Sequence, residues 1–142
     1  MRPAESHHAD VIPAPAEKIF ALLVDPQRMS QWLPFCRDVK TKSPGVHKGT
    51  RLMVTFPSGI PEFEVVDFQV DKTLGWIDRI GRKGSKTFIR LEFAGAMTRI
   101  SFKEVAEAQG AGAWIKTQLN NRRDPVFSFR AAVQNLRKMV TA

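Results

Sequence analysis

Near the start of the chain, in "SHHAD", two histidines and a carboxylate stand close together as His7, His8 and Asp10. Residues two apart on a strand share a face, so His8 and Asp10 fall on one side, and Ile12 falls there with them. A carboxylate beside an imidazole raises its proton affinity and orients its ring, the arrangement of a general acid–base pair. The competing reading is a solvated strand end, and the residues alone favour it. Three further carboxylates, Glu64, Asp78 and Glu104, extend the apolar series of later strands by two positions, and would be polar points on an apolar face. They too read first as strand-end groups in water. Metal chemistry fits less well. His47 sits in a distant loop, no fourth ligand accompanies the His7-His8-Asp10 group, and neither a metal nor a cofactor is expected. No Gly-x-Ser-x-Gly elbow is present, and "GRKGS" lacks the spacing and helix of a phosphate loop. Cys36, beside Pro34-Phe35, reads as a small core residue.

The elements that would position these groups are legible from their punctuation. Residues 5–12 alternate as a strand and stop at Pro13 and Pro15. Pro15 suits a first helical turn, where its missing N–H costs nothing, and Glu17 suits the positive end of that helix. Ile19, Leu22 and Leu23 then share a face. Asp25-Pro26 repeats the start signal, with Met29 and Trp32 spaced to face inward. Segments 39–43, 50–56, 62–70, 74–80, 86–93 and 97–105 alternate apolar and polar residues between short turn-rich links. Links this short make neighbouring strands antiparallel. Asp124-Pro125 opens a last helix in which Phe129, Val133, Leu136 and Val140 form an apolar stripe. Arg130, Gln134, Arg137 and Lys138 occupy its other side. Residues 106–121 read as a Gly/Ala-rich loop followed by a helical prelude or an extended arm.

Composition bounds the rest. At 142 residues, 43% hydrophobic and 25% charged, the chain fits one globular domain, 1–142. It has no apolar run long enough to span a bilayer and no apolar signal core at "MRPAESHHAD". A single cysteine excludes an internal disulfide and fits a reducing, cytoplasmic setting. The net charge is +8 with a pI near 10.2, which favours encounters with anionic surfaces. The basic residues are nonetheless scattered, with no RNP-like motif or zinc-finger spacing. Nucleic acid is therefore not the expected partner, while peripheral contact with anionic lipid stays open.

The order strand, helix, helix, six strands, helix resembles the START-like (SRPBCC) superfamily, and within it the polyketide cyclase/dehydrase and lipid-transport group. The resemblance rests on "IPAPAEKIFALLVDPQRMSQWLP", on Gly49-Thr50-Arg51 opening a strand, and on "VVDFQVDKTLGW", "MTRISFKEVAE" and "FRAAVQNLRKMV". "LPFC" is also similar to the "LPWC"-like segment of coenzyme Q-binding members and their ribosome-associated relatives, although the later strands match that subgroup less well. The heat-shock-ATPase-activator-like branch is a further neighbour. The resemblance implies an α+β helix-grip fold: a bent antiparallel sheet around the C-terminal helix, a cavity between them, and two short helices plugging one end.

Strand parity then suggests a lining. The inward series are Leu52/Val54/Phe56, Val66/Phe68/Val70, Leu74/Trp76, Ile89/Leu91/Phe93 and Ile100/Phe102. The candidate ligand contacts are Ile12, Trp32, Phe35, Val54, Phe68, Trp76, Asp78, Leu91, Phe102, Phe129 and Val133. The corner Trp32-Leu33-Pro34-Phe35 is expected to pack beside the sheet. The candidate acid–base residues are His8, Asp10 and Glu104. Such a lining suits a small hydrophobic or aromatic ligand such as a lipid, polyketide or quinone, carried by a monomer or weak homodimer. A cyclase or dehydratase is the enzymatic alternative, weakened because the chain has no tyrosine to act as proton donor in a polyketide pocket. A basic interaction protein for RNA, ribosome or anionic lipid is the third.

Overall fold

The first strand, β1 (Ala4–Ile12), ends where Ala14 N–H turns back to the Ile12 carbonyl at 2.9 Å. A computed structural model describes residues 4–57, 59–80, 84–106 and 129–141. Helix α1 (Ala16–Leu23) follows, with Pro15 extended at its cap, no capping side chain, and Glu17 in its first turn. Proline therefore stands one residue before the first turn, where its fixed φ still leads the chain into the helix. Ile19, Phe20 and Leu23 are buried. Helix α2 (Pro26–Trp32) starts on a side-chain cap: Asp25 Oδ1 accepts from Gln27 N–H at 3.0 Å, satisfying a donor the helix itself cannot.

Six more strands complete the sheet: β2 (Asp38–Lys40), β3 (Arg51–Thr55), β4 (Glu62–Gln69), β5 (Thr73–Asp78), β6 (Lys86–Ala94) and β7 (Met97–Ala106). All neighbours pair antiparallel in the order β1-β7-β6-β5-β4-β3-β2. Consecutive strands lie side by side as the short links require, and only β1 crosses to a distant partner. Strand β2 is shorter than segment 39–43 implies. Beyond Lys40 the chain enters a loop in which Ser43 N–H bonds Thr41 Oγ1 at 3.2 Å and Ser43 Oγ bonds the Gly45 carbonyl at 2.6 Å.

Helix α3 (Phe129–Thr141) buries Ala132, Val133, Leu136 and Val140. Its 13 residues make it about 20 Å long. The start signal at Asp124-Pro125, the segment 107–121 and Trp114 lie outside the described residues. Three side chains tie α3 to the first quarter of the chain. Lys18 Nζ donates to the Val140 carbonyl at 3.1 Å, Asn135 Nδ2 to the Trp32 carbonyl at 3.2 Å, and Arg137 to Asp10 Oδ1 at 2.6 Å and the Val11 carbonyl at 2.9 Å. The architecture is the α+β helix-grip, with one core between the concave face of the sheet and the three described helices.

Candidate functional site

Antiparallel register places concave side chains in rows that cross the sheet. Nearest α1, Phe93, Thr98 and Ile12 form one row, and Leu91, Ile100 and Asp10 the next. The third runs Phe68, Leu74, Ile89, Phe102, His8, and the fourth Val65, Trp76, Thr87, Glu104, Ser6. Beyond it Leu52 faces Phe63 and Phe63 faces Asp78. The middle rows are apolar and aromatic. Phe102 stacks on Phe129 of α3 at 5.1 Å, Phe63 on Trp76 at 5.4 Å, and Phe68 meets Phe20 of α1 edge-on at 5.4 Å. Polar groups collect at the β1 edge and in the rows away from α1: His8, Glu104, Thr87 and Asp78.

The rows decide which candidate acid–base residues meet. His8 stands opposite Phe102, diagonal to Glu104, a separation long side chains can bridge. Asp10 and Glu104 flank it on opposite sides. Asp10 lies opposite Ile100, four residues along β7 from Glu104, which is about 13 Å at strand rise. His8 can thus work with either carboxylate, while the two carboxylates cannot share a reacting atom. Asp10 is also engaged, by Arg137 and by the Val11 N–H at 2.8 Å. The Val11 hydrogen bond, helped by the Arg137 charge, outweighs partial burial and holds its carboxyl below the usual value. His8 Nε2 is the opposite case. It is buried and has no hydrogen-bond partner among the described residues, an uncommon state for a polar atom.

The remaining candidates divide by environment. Ile12, Val54, Leu91, Phe102 and Val133 are buried core residues, as are Trp32 and Trp76, and Phe68 and Phe129 pack against them. Trp32 Nε1 donates to the Leu22 carbonyl at 3.1 Å. Asp78 is only 5% exposed, and its Oδ1 accepts from Ile80 N–H at 3.0 Å, so it organises the turn after β5. Phe35 departs from the expected packing of the corner. It is 60% exposed with φ 63°, because the left-handed backbone there swings its ring away while Leu33, Pro34 and Cys36 turn inward. Burial pushes the Cys36 thiol up to about 11, which leaves it protonated and inert.

Three parity expectations are corrected. Glu64 points outward and pairs with Arg51 and Arg79 at 3.6 and 3.4 Å, while Phe63 and Val65 face the core. A bulge between Val65 and Asp67 shifts the phase of β4 by one residue. Val70 and Phe93 are 66% and 90% exposed. Val70 has passed the end of β4 into a turn, and no described residue covers Phe93. Sequence reasoning also missed Phe63, Thr87 and the role of Arg137. An arginine on the polar side of a helix gives no hint of which strand carboxylate it will reach.

A bent antiparallel sheet of this order, closed by helices over an aromatic concave face, defines a class of protein. Residues 4–140 match the family model for polyketide cyclase / dehydrase and lipid transport, and the chain belongs to that family. Solved structures share the fold at low identity. Protein MLL2253 from Mesorhizobium loti superposes with TM-score 0.73 at 14% identity, covering 97% of each chain. The Aha1 dimer from Colwellia psychrerythraea gives 0.63 at 20% identity, covering 87% of this chain and 90% of that one. DynU16, a protein of the dynemicin biosynthetic locus, gives 0.67 at 16% identity, covering 97% of this chain and 47% of the other. Among curated proteins none matches. No helix of the described residues is long and apolar enough to cross a membrane.

Proposed function

We propose that the protein, as a single-domain carrier, binds a small hydrophobic or aromatic molecule against the concave face, with its body on the Phe102, Phe129 and Trp76 rings and one polar group at His8. The observation that carries this reading is the buried, partnerless His8 Nε2 in the same row as Phe102. A ligand carbonyl or hydroxyl reaching that atom would satisfy it, and the flanking rings would exclude water. Family membership supports the ligand class, and the lone buried Cys36 supports a reducing, cytoplasmic setting.

Purified protein titrated with a panel of lipids, quinones and aromatic polyketides tests this. At least one ligand is expected to bind, with affinity falling about tenfold or more on Trp76→Ala through lost contact area. His8→Leu is expected to weaken ligands bearing a polar group by about three- to tenfold and to leave pure hydrocarbons unaffected. Unchanged affinity in both variants, with folding verified, would overturn the assignment.

A second reading, cyclase- or dehydratase-type catalysis, is favoured by the diagonal placement of Glu104 beside His8. It requires turnover to drop by about 10²-fold on loss of either residue while binding persists.

A further inference from the structure

We propose that the convex face carries a second site, independent of the concave one: a groove that binds a small phosphorylated molecule. It lies along the outer side of β2, an edge strand, and its neighbour β3, under the loop 41–50, and has a volume of about 740 Å³. Lys40 and Lys42 supply its positive groups and Thr41 a hydroxyl, and Arg51, already engaged by Glu62 and Glu64, and the His47 imidazole complete the polar lining. Alternation on β3 separates the two sites. Arg51 and Met53 face the groove, whereas Leu52 and Val54 are buried on the opposite side.

The charge there is neutralised only in part. Arg51 is taken up by Glu62 at 3.1 Å and by Glu64 at 3.6 Å. Lys40 and Lys42 form no ion pair with any described residue, although both are exposed. The loop is held in place in advance. Gly49 takes φ +94°, its N–H bonds the Val65 carbonyl at 2.8 Å, and Val65 N–H returns to the Thr50 carbonyl at 2.9 Å. Thr50 Oγ1 accepts from His47 N–H and lies 3.1 Å from His47 Nδ1, which orients the imidazole and leaves Nε2 for a ligand. A loop already ordered lets its side chains meet phosphate oxygens without the cost of ordering it.

The shape and lining select among anions. The volume is that of a small-molecule pocket rather than an extended stripe. Among the described residues no Phe or Trp lines it, so it offers no broad platform for stacking the bases of a single strand. Met53 is its single large apolar contact among the described residues, too little for a greasy ligand.

The test is a titration of the isotopically labelled full chain with inorganic pyrophosphate and with adenosine diphosphate, followed residue by residue by NMR. Saturable shifts are expected at 40–53, with Kd of about 1 mM or tighter and weakening as salt rises. The Lys40→Ala/Lys42→Ala variant, which removes only exposed side chains, is expected to lose about tenfold or more while its spectrum elsewhere is unchanged. The proposal fails if no saturable shift appears up to about 10 mM, or if shifts spread over lysines and arginines generally. It fails equally if the double variant binds as tightly, or if a short RNA binds and pyrophosphate does not.

Discussion

Two sides of one strand show how differently this sheet treats its faces. On β3, Leu52 and Val54 are buried, while Arg51 and Met53, their immediate neighbours, stand out in solvent. Across the concave face the rows are apolar and aromatic, and a polar atom there is either tied down, as in Asp10, or left without a partner, as in His8 Nε2. Across the convex face charges pair laterally: Arg51 with Glu62 and Glu64, Arg79 with Glu64, Arg90 with Glu92. Each buried large apolar side chain contributes about 1.5–3 kcal/mol, and an exposed ion pair about 0–1 kcal/mol. Stability therefore resides on the concave side. The convex side sets charge and solubility and is free to host an exchangeable ligand.

Substitutions on the two faces put this contrast at risk, beginning with the largest effect. Phe102→Ala removes a ring that is 1% exposed and stacked on α3, and is expected to cost about 3–5 kcal/mol in denaturant unfolding. A loss below about 1 kcal/mol would mean the concave face is already loosely packed. Gly75→Ala probes the exception on the convex side. A Cβ there would stand 2.6 Å from Phe88 Cδ1 and 3.2 Å from Asp67 Cβ, so a cost of about 1–3 kcal/mol is expected. A neutral result would show that the Phe88 ring swings aside freely.

Asp10→Asn is expected to lower stability at neutral pH by about 1 kcal/mol or less, because the carboxylate is roughly a third exposed and screened. Its folded pKa lies below the unfolded value, so the contribution is complete above the ordinary carboxylate range. It disappears as pH falls below about 4 and through the folded value. Unfolding curves of wild type and variant should therefore converge in acid; a gap that persists there would assign the effect to packing. Glu64→Ala, despite two arginine partners, is expected to change stability by only about 0.5 kcal/mol, and a larger loss would break the contrast between faces.

Much of the fold was legible because alternation and Asp-Pro or Ala-Pro starts are local signals. The stripe through Val133, Leu136 and Val140 and the inward set on β1, β3, β5 and β7 follow from period alone. Glu64 was misplaced because a bulge in β4 carries no local signature in "EFEVVDFQV", and parity counted back from Phe68 across that extra residue reverses every face before it. Phe93 was misplaced because parity says which way a residue points and nothing about whether anything lies over it. The site was less legible than the fold. Which carboxylate Arg137 reaches, and that His8 Nε2 is left over, depend on residues more than 90 positions apart meeting in three dimensions.

The clasp between α3 and the start of the chain has one more implication. Of the hydrogen bonds made by Lys18, Asn135 and Arg137, three end on main-chain oxygens, those of Val140, Trp32 and Val11. A carbonyl survives any change of the side chain that follows it, so descendants of this sequence can rewrite those three positions within the limits of packing and keep the bonds. The donors have no such latitude, and replacing any one of them by an aliphatic residue would undo a fastening outright.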